Sequence, residues 1–594
     1  MTSTLTWAQL RDLKCAELEG AADGWGRASN RADAGRDTID KRLMNGLLGT
    51  QQGEAADAAV ARLRQLSRNF QYVYTECGLL RTALNSLAHE MRAQQRALQG
   101  ALADADALKF TVHPDGSVTY PEAGEGLIDG KPLPGGTASG RGLPGLLPPS
   151  GLVAPNPHAA KAQEIADRVE KAVRTAKEID WRYTRILREL KAEEGLKVPD
   201  ATWTDAAAVR GAARGYLKDA IPHDASPAER KSWWAGLTQE QQEEYLAVYP
   251  DQIGNLDGIP ALVRDAANRD NLQLLIGKLG ARDDERAETQ LAGLREIERQ
   301  LHDDRKPPMF LLGIGDEGNG RAIVSYGNPD AARNVSAYVP GLGTSLDDEF
   351  AKNDLKRARD TAIGTQRHDS SSAAIVWLGY DAPQTPIDDP LGSLAVAGGE
   401  RAEKGGAAYN SFMRGLAVTN ENENPHLTAI GHSYGSRTVG AATQQVGGIL
   451  GVDDIVLVGS PGVGVDRAED LGVGKDHVFV GAAEHDVVTR VPSRKQATVG
   501  VMGLITAGPV GSYIVGDIAD QGDDDLWFGK DPASKAFGAR RFHVDEGPQL
   551  VSSDGLSIDA HSQYFDPERN AVSADSIALV AAGQSRELKM EEPR

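Results

Sequence analysis

Gly431, Ser433 and Gly435 fall in G-x-S-x-G order inside LTAIGHSYGSRTVG, Leu427 to Gly440. Such a serine becomes a nucleophile when a sharp turn projects its hydroxyl from the end of a strand, with glycines leaving room for the backbone to fold tightly around it. An apolar run before the motif reads as that strand, and the small residues after it read as the start of a helix. An ordinary Gly/Ser turn would carry the same residues without this setting. A free hydroxyl is too weakly acidic to attack at neutral pH, so the chemistry needs a base, and the base needs an acid to orient it.

Downstream, DIVLVGSPG (Asp454 to Gly462) reads as a buried strand ending in a turn, and HVFVGAAEHD (His477 to Asp486) as another. The second ends in a carboxylate. Asp486 is the expected acid, with Glu484 as a close competitor and a turn-solvating aspartate as the bland alternative. Four histidines follow the serine at plausible distances. His477 stands at a strand start before the acid, His485 would have to bend back on its neighbour, and His543 lies in the strand-like ARRFHVD. His561, in the polar loop DAHSQYFD before a closing helix at Asp575 to Ala582, is the expected base. Its Nε2 would take the serine proton while Nδ1 donates to Asp486. The oxyanion donors should be the backbone N–H of Tyr434 and one from the loop Pro340, Gly341, Leu342, Gly343, with Leu342 the expected donor. A phosphate-cradling loop would need a following Gly-Lys-Ser/Thr, which is lacking. No metal or cofactor is called for.

These residues need a sheet to carry them. From Met309 the apolar period shortens: MFLLGIGDEGNGRAIVSYGN reads as two strands joined around Gly318, Asn319 and Gly320. A strand at Val335, a helical stretch from Asp347 to Ile363, and the buried strand SSAAIVWLGYDAP follow. Strands alternating with helices predict an α/β domain over 306–594, a mostly parallel sheet with flanking helices.

The preceding half reads as an all-α region. Residues 1–110 form two helices broken near Gly46 to Glu54, with Val60, Leu63, Leu66 and Phe70 at helical spacing. Residues 111–157 hold a small hairpin around Asp115 and Gly116, then a Gly/Pro-rich linker. Residues 158–305 return to helix, where Trp233 and Trp234 anchor packing.

Composition narrows the function. A net charge of −21 over 594 residues offers no broad basic surface, which disfavours nucleic acid. Two cysteines, Cys15 and Cys77, exclude a disulfide scaffold, leaving a single bridge between them open. The N-terminus lacks an apolar signal core. Gln496 to Gly516 is uncharged and long enough to span a bilayer, but five glycines and a proline favour a lid beside the site over a transmembrane helix.

Residues 1–110 resemble the helical hairpin of WXG-type, ESX-like type VII secretion substrates, especially in GEAADAAVARLRQLSRNF. Gln51-Gln52-Gly53 replaces the Trp-x-Gly turn, and the Tyr-x-x-x-Asp/Glu signal occurs as Tyr72 to Glu76 in mid-helix. The resemblance implies a protein partner, or self-association, through the hairpin and leaves two locations open, cytoplasmic or exported by a non-Sec, type VII-like route. WWAGL, PDQIGNLDGIPALVRDAAN, VPGLGT, WLGYDAP, GHSYGS, FGARRF and HSQYFD together resemble an actinobacterial alpha/beta-hydrolase family of the unknown-function type, from about Lys231 to Gly583. That resemblance implies a serine-hydrolase fold with nucleophile Ser433, acid Asp486 and base His561, and supplies no substrate; the expected activity is hydrolysis of a small-molecule or lipid-like ester. Thioesterase or peptidase chemistry, or a non-catalytic interaction scaffold, are the alternatives.

Overall fold

The computed structural model describes residues 5–48, 50–124, 131–140, 156–190, 202–213, 215–217, 221–302, 306–384, 398–490, 525–548, 551–552, 555–556 and 559–594. The uncharged stretch from Gln496 to Gly516 lies outside them, and so does most of the Gly/Pro-rich segment. The chain forms two compact units. One comprises Met1–Leu43, Ala58–Ile221 and Glu243–Val248, the other Met44–Asp57, Pro222–Gln242 and Tyr249–Arg594.

Helices dominate the first unit. Pro157 opens the helix Pro157–Glu189, where its missing N–H costs nothing, and Asn156 caps it by accepting from the His158 N–H. Ile165, Val169, Ala172, Ala176, Ile179, Tyr183 and Ile186 recur at helical spacing and are all buried, so this helix presents one apolar stripe inward. The segment Tyr72 to Glu76 lies within the helix Glu54–Ala107, with both end residues buried. Burial pushes the Glu76 carboxyl up to about 8, with the charge of Asp205 adding to it. Cys15 and Cys77 are free thiols. The hairpin around Asp115 and Gly116 is present as Thr111–Val112 and Val118–Tyr120. The region read as linker adds a third antiparallel strand, Gly136–Ala138.

The second unit is built on an eight-stranded sheet. Its strands are β1 (Met309–Gly315), β2 (Arg321–Tyr326), β3 (Asn334–Val339), β4 (Ser372–Leu378), β5 (His426–His432), β6 (Asp454–Val458), β7 (Val478–Gly481) and β8 (Arg540–Arg541). They lie in the order 1-2-4-3-5-6-7-8. β1 and β2 are the expected hairpin, β2 runs antiparallel to β4, and the pairs from β4 through β8 are parallel. Every residue of β3, β4 and β6 is buried, in keeping with their mostly apolar composition in a sheet covered on both faces.

Helix α1 (Leu355–His368) carries the chain from β3 to β4, and α2 (Glu400–Thr419) carries it from β4 past β3 to β5. The two crossovers step in opposite directions along the sheet, so right-handed connection places their helices on opposite faces. Helix α3 (Tyr434–Thr443) follows β5, α4 is the single turn Asp559–Ser562, and α5 (Ala571–Ala581) is the last α-helix of the unit. The polar loop expected around His561 is therefore partly helical, and the closing helix begins four residues earlier than its sequence suggested.

Where the parallel strands begin, the buried Asp454 accepts from two imidazoles, His426 Nε2 at 2.9 Å and His477 Nδ1 at 2.7 Å. Burial alone would lower the His426 pKa, but the hydrogen bond and charge of Asp454, with Asp453, raise it overall. Stability from a raised histidine is complete below its unfolded value and lost as pH rises through the folded one. His426→Gln should therefore lower the melting temperature more in acid than in alkali, checked by thermal melts at about pH 5 and about pH 9.

Candidate active site

β5 sits between β3 and β6, and its last residue, His432, is followed by Ser433 and then at once by α3. Ser433 has φ 56° and ψ −131°. Among the described residues only Lys109 and Ser433 combine a side chain with positive φ. Such a conformation costs roughly 1–3 kcal/mol and survives only where the surroundings enforce it. The Ser433 N–H donates to the Val458 carbonyl at 3.0 Å. Gly435 passes so close to β3 that a Cβ there would lie 2.1 Å from the Val339 oxygen, which is why the second motif glycine admits no side chain.

The acid and the base meet at the same sheet edge. β7 ends at Gly481, and five residues on Asp486 lies fully buried. His561 Nδ1 is 3.0 Å from each Asp486 oxygen. Tyr564 donates to Asp486 Oδ2 at 2.7 Å, and the Val488 N–H donates to Oδ1 at 2.9 Å. Burial pushes the Asp486 carboxyl up, but the charge and hydrogen bond of His561, then Tyr564 and Val488, outweigh it and hold the group below its ordinary value. At neutral pH it is a carboxylate. Gly459, just past β6, faces both groups: a Cβ there would lie 2.8 Å from the His561 ring and 3.0 Å from Asp486 Oδ2.

The loop after β3 crosses the nucleophile. A Cβ on Gly341 would lie 2.7 Å from Ser433 Cβ and 3.0 Å from its Oγ. Tyr380, after β4, holds this loop by donating to the Pro340 carbonyl at 2.9 Å, and the Gly343 N–H donates to Pro383. The backbone N–H groups of Leu342 and Tyr434 have no hydrogen-bond partner among the described residues.

Ser433, Asp486 and His561 thus stand at the ends of β5, β7 and the chain leading to α5, while Leu342 and Tyr434 flank the serine. Asp486 and His561 are hydrogen-bonded. No hydrogen bond joins Ser433 Oγ to His561 Nε2 among the described residues; unliganded sites often hold this contact long and tighten it with substrate. The rival groups lie elsewhere. Glu484 is exposed, His477 binds Asp454, His485 binds the Gly547 carbonyl and His543 binds Glu591.

Three aromatic side chains at the site carried no signal of their own in the sequence. Tyr380 pins the loop over Ser433, His432 touches His561, and Tyr564 joins Asp486 while accepting from the Ala483 N–H at 3.0 Å. Tyr564 stands three residues beyond His561, the one spacing that could have pointed to it. Tyr564→Phe leaves Ala483 N–H without its acceptor and Asp486 without one donor. It should destabilise the unit by about 1–3 kcal/mol, which denaturant melts will measure.

A strand order of 1-2-4-3-5-6-7-8 with one antiparallel member, and a strained serine between the fifth strand and its helix, define an alpha/beta hydrolase. Residues 316–496 match the family model described as alpha/beta hydrolase. Over 214 residues the chain is 33% identical to an uncharacterized protein of Mycobacterium bovis, covering 34% of this chain and 76% of that one. An uncharacterized Mycobacterium tuberculosis protein is 30% identical over 395 residues, which is 61% of this chain and 56% of the relative. The chain thus spans only a little over half the length of that relative. The chain belongs to this alpha/beta-hydrolase family. A Pyrobaculum calidifontis esterase aligns over 53% of this chain and 97% of its own with 12% identity and a TM-score of 0.26, too low to add to the fold drawn from the sheet itself.

Proposed function

We propose that the protein is a serine hydrolase that cleaves a carboxylic ester, of a small molecule or a lipid, through an acyl-enzyme. The observation that carries this reading is the buried Asp486 carboxylate on His561 Nδ1, set at the same sheet edge as a serine forced to positive φ. His561 Nε2 takes the proton from Ser433 Oγ as the oxygen attacks the ester carbonyl. Asp486 holds the tautomer that leaves Nε2 free and stabilises the imidazolium that forms. The tetrahedral oxyanion is received by the N–H groups of Tyr434 and Leu342. The imidazolium protonates the leaving alcohol, and water, activated by the same base, releases the acid.

Hydrolysis of p-nitrophenyl esters of graded chain length tests this reading. The expected result is turnover with a pre-steady-state burst of nitrophenol equal to the enzyme present, the mark of an acyl-enzyme. Turnover confined to thioester or peptide substrates would keep the nucleophile and change the leaving group. A folded protein that hydrolyses none of them favours an interaction scaffold.

A further inference from the structure

His432, the residue immediately before Ser433, takes no part in the proton transfers just described, yet it is almost wholly buried against the residue that makes them. His432 Nε2 is 2.8 Å from the backbone carbonyl oxygen of His561. A carbonyl can only accept, so Nε2 carries the proton and donates. The two imidazoles also lie nearly parallel, with centroids 4.6 Å apart and planes at 27°. The remaining sides of His432 are closed by Tyr564 at 6.1 Å, Phe565 at 5.8 Å and Tyr338 at 6.3 Å, the first two meeting it edge-on. Tyr338 is itself fixed, since its hydroxyl donates to Asp354 and accepts from Arg357. Burial, joined by the charges of His561 and Arg357, holds the His432 pKa well below the usual histidine range, so the ring stays neutral.

Resting on the serine-hydrolase reading, we propose that His432 is a positioning residue for the base: it ties the backbone of His561 to the elbow that carries the nucleophile. β5 ends in His432 and Ser433 follows at once, so one rigid strand end sets the nucleophile and, through one hydrogen bond and one ring face, sets the height and tilt of the His561 imidazole. His561 needs such a tie because it sits on α4, a single helical turn of four residues. Its Nδ1 contact to Asp486 fixes the ring at one atom; the carbonyl contact and the stacked face fix the remaining freedom. A neutral partner suits the task. When His561 takes the serine proton, a second imidazolium stacked on it would repel the charge being formed, whereas a neutral donor to its carbonyl does not.

His432→Phe keeps a ring and removes the donor, while His432→Gln keeps an N–H donor near the Nε2 position and removes the ring. Against the ester turned over by the parent protein, the phenylalanine variant should lose roughly tenfold in kcat with KM changed little, and the glutamine variant should recover most of that loss. A second readout is independent of any substrate. The His561 Nδ1 proton, held on Asp486, should give a strongly downfield proton NMR line, identified by its loss in Asp486→Asn, and this line should broaden or vanish in His432→Phe and return in His432→Gln. Parent-like kcat and an unchanged line in His432→Phe would overturn the proposal. So would equal losses in both variants with the line intact, which is the pattern of lost packing. If the parent protein hydrolyses no ester, thioester or peptide while the line still depends on the His432 donor, the positioning stands and the serine-hydrolase reading fails.

Discussion

Replacing Ser433 by alanine should lower kcat on any ester the protein hydrolyses by about a thousandfold or more, with the melting temperature unchanged. The loss is large because the proposed covalent step has no substitute nucleophile: once Oγ is gone, only the oxyanion donors and substrate binding remain to accelerate direct attack by water. The fold should not register the change. Ser433 Oγ makes no hydrogen bond among the described residues, and alanine is as strained at φ 56° as serine is. Steady-state kinetics and a thermal melt of the same sample read both halves. Loss of activity together with loss of folding would move Ser433 from chemistry to structure.

Asp486→Asn should have an effect of similar or greater size, about 10⁴ in kcat, by a different route. The carboxylate accepts from three donors, His561 Nδ1, the Tyr564 hydroxyl and the Val488 N–H. An amide offers one oxygen and one NH2 group, so its NH2 must face a group that donates to the carboxylate, either His561 Nδ1 or the Tyr564 hydroxyl. If NH2 faces His561, Nδ1 must become the acceptor, the proton moves to Nε2, and the base can no longer receive the serine proton. The mismatch should also cost about 1–3 kcal/mol of stability at neutral pH. Its pH dependence has a definite sign. A carboxyl whose folded pKa is depressed contributes stability above its unfolded value of 3.8 and loses it as pH falls through the folded one. The stability gap between parent and Asp486→Asn should therefore close on acidification below that range, which urea melts across pH will show. A gap that persists unchanged into strong acid would mean that Asp486 is not held as a carboxylate.

Much of this arrangement was legible in the chain because it is local. The strand, turn and helix around Ser433 follow from an apolar run, a G-x-S-x-G and a run of small residues within fourteen positions, and the β1–β2 hairpin follows from Gly318, Asn319 and Gly320 between two apolar runs. Asp486 and His561 were reachable through chain order, since each follows a strand that must end at one sheet edge. What escaped is held by contacts across long separations. Tyr564 reaches Asp486 across 78 positions and His432 reaches His561 across 129, and neither residue type announces its partner. The stretch from Asp454 to Gly462 reads as a buried strand ending in a turn, and pairing does stop at Val458, where Gly459 takes positive φ and the chain leaves the sheet. His561 reads as a loop residue because a single turn such as Asp559–Ser562 is too short to show helical periodicity.

The central claim, that Ser433 is a nucleophile activated by the Asp486–His561 pair, is tested most directly by labelling the folded protein with a fluorophosphonate and mapping the modified peptide by mass spectrometry. A single adduct on Ser433, absent in Ser433→Ala and slowed strongly in His561→Ala and Asp486→Asn, is the expected result. An unlabelled Ser433 in protein shown to be folded, or labelling that proceeds at the same rate without His561, would contradict it.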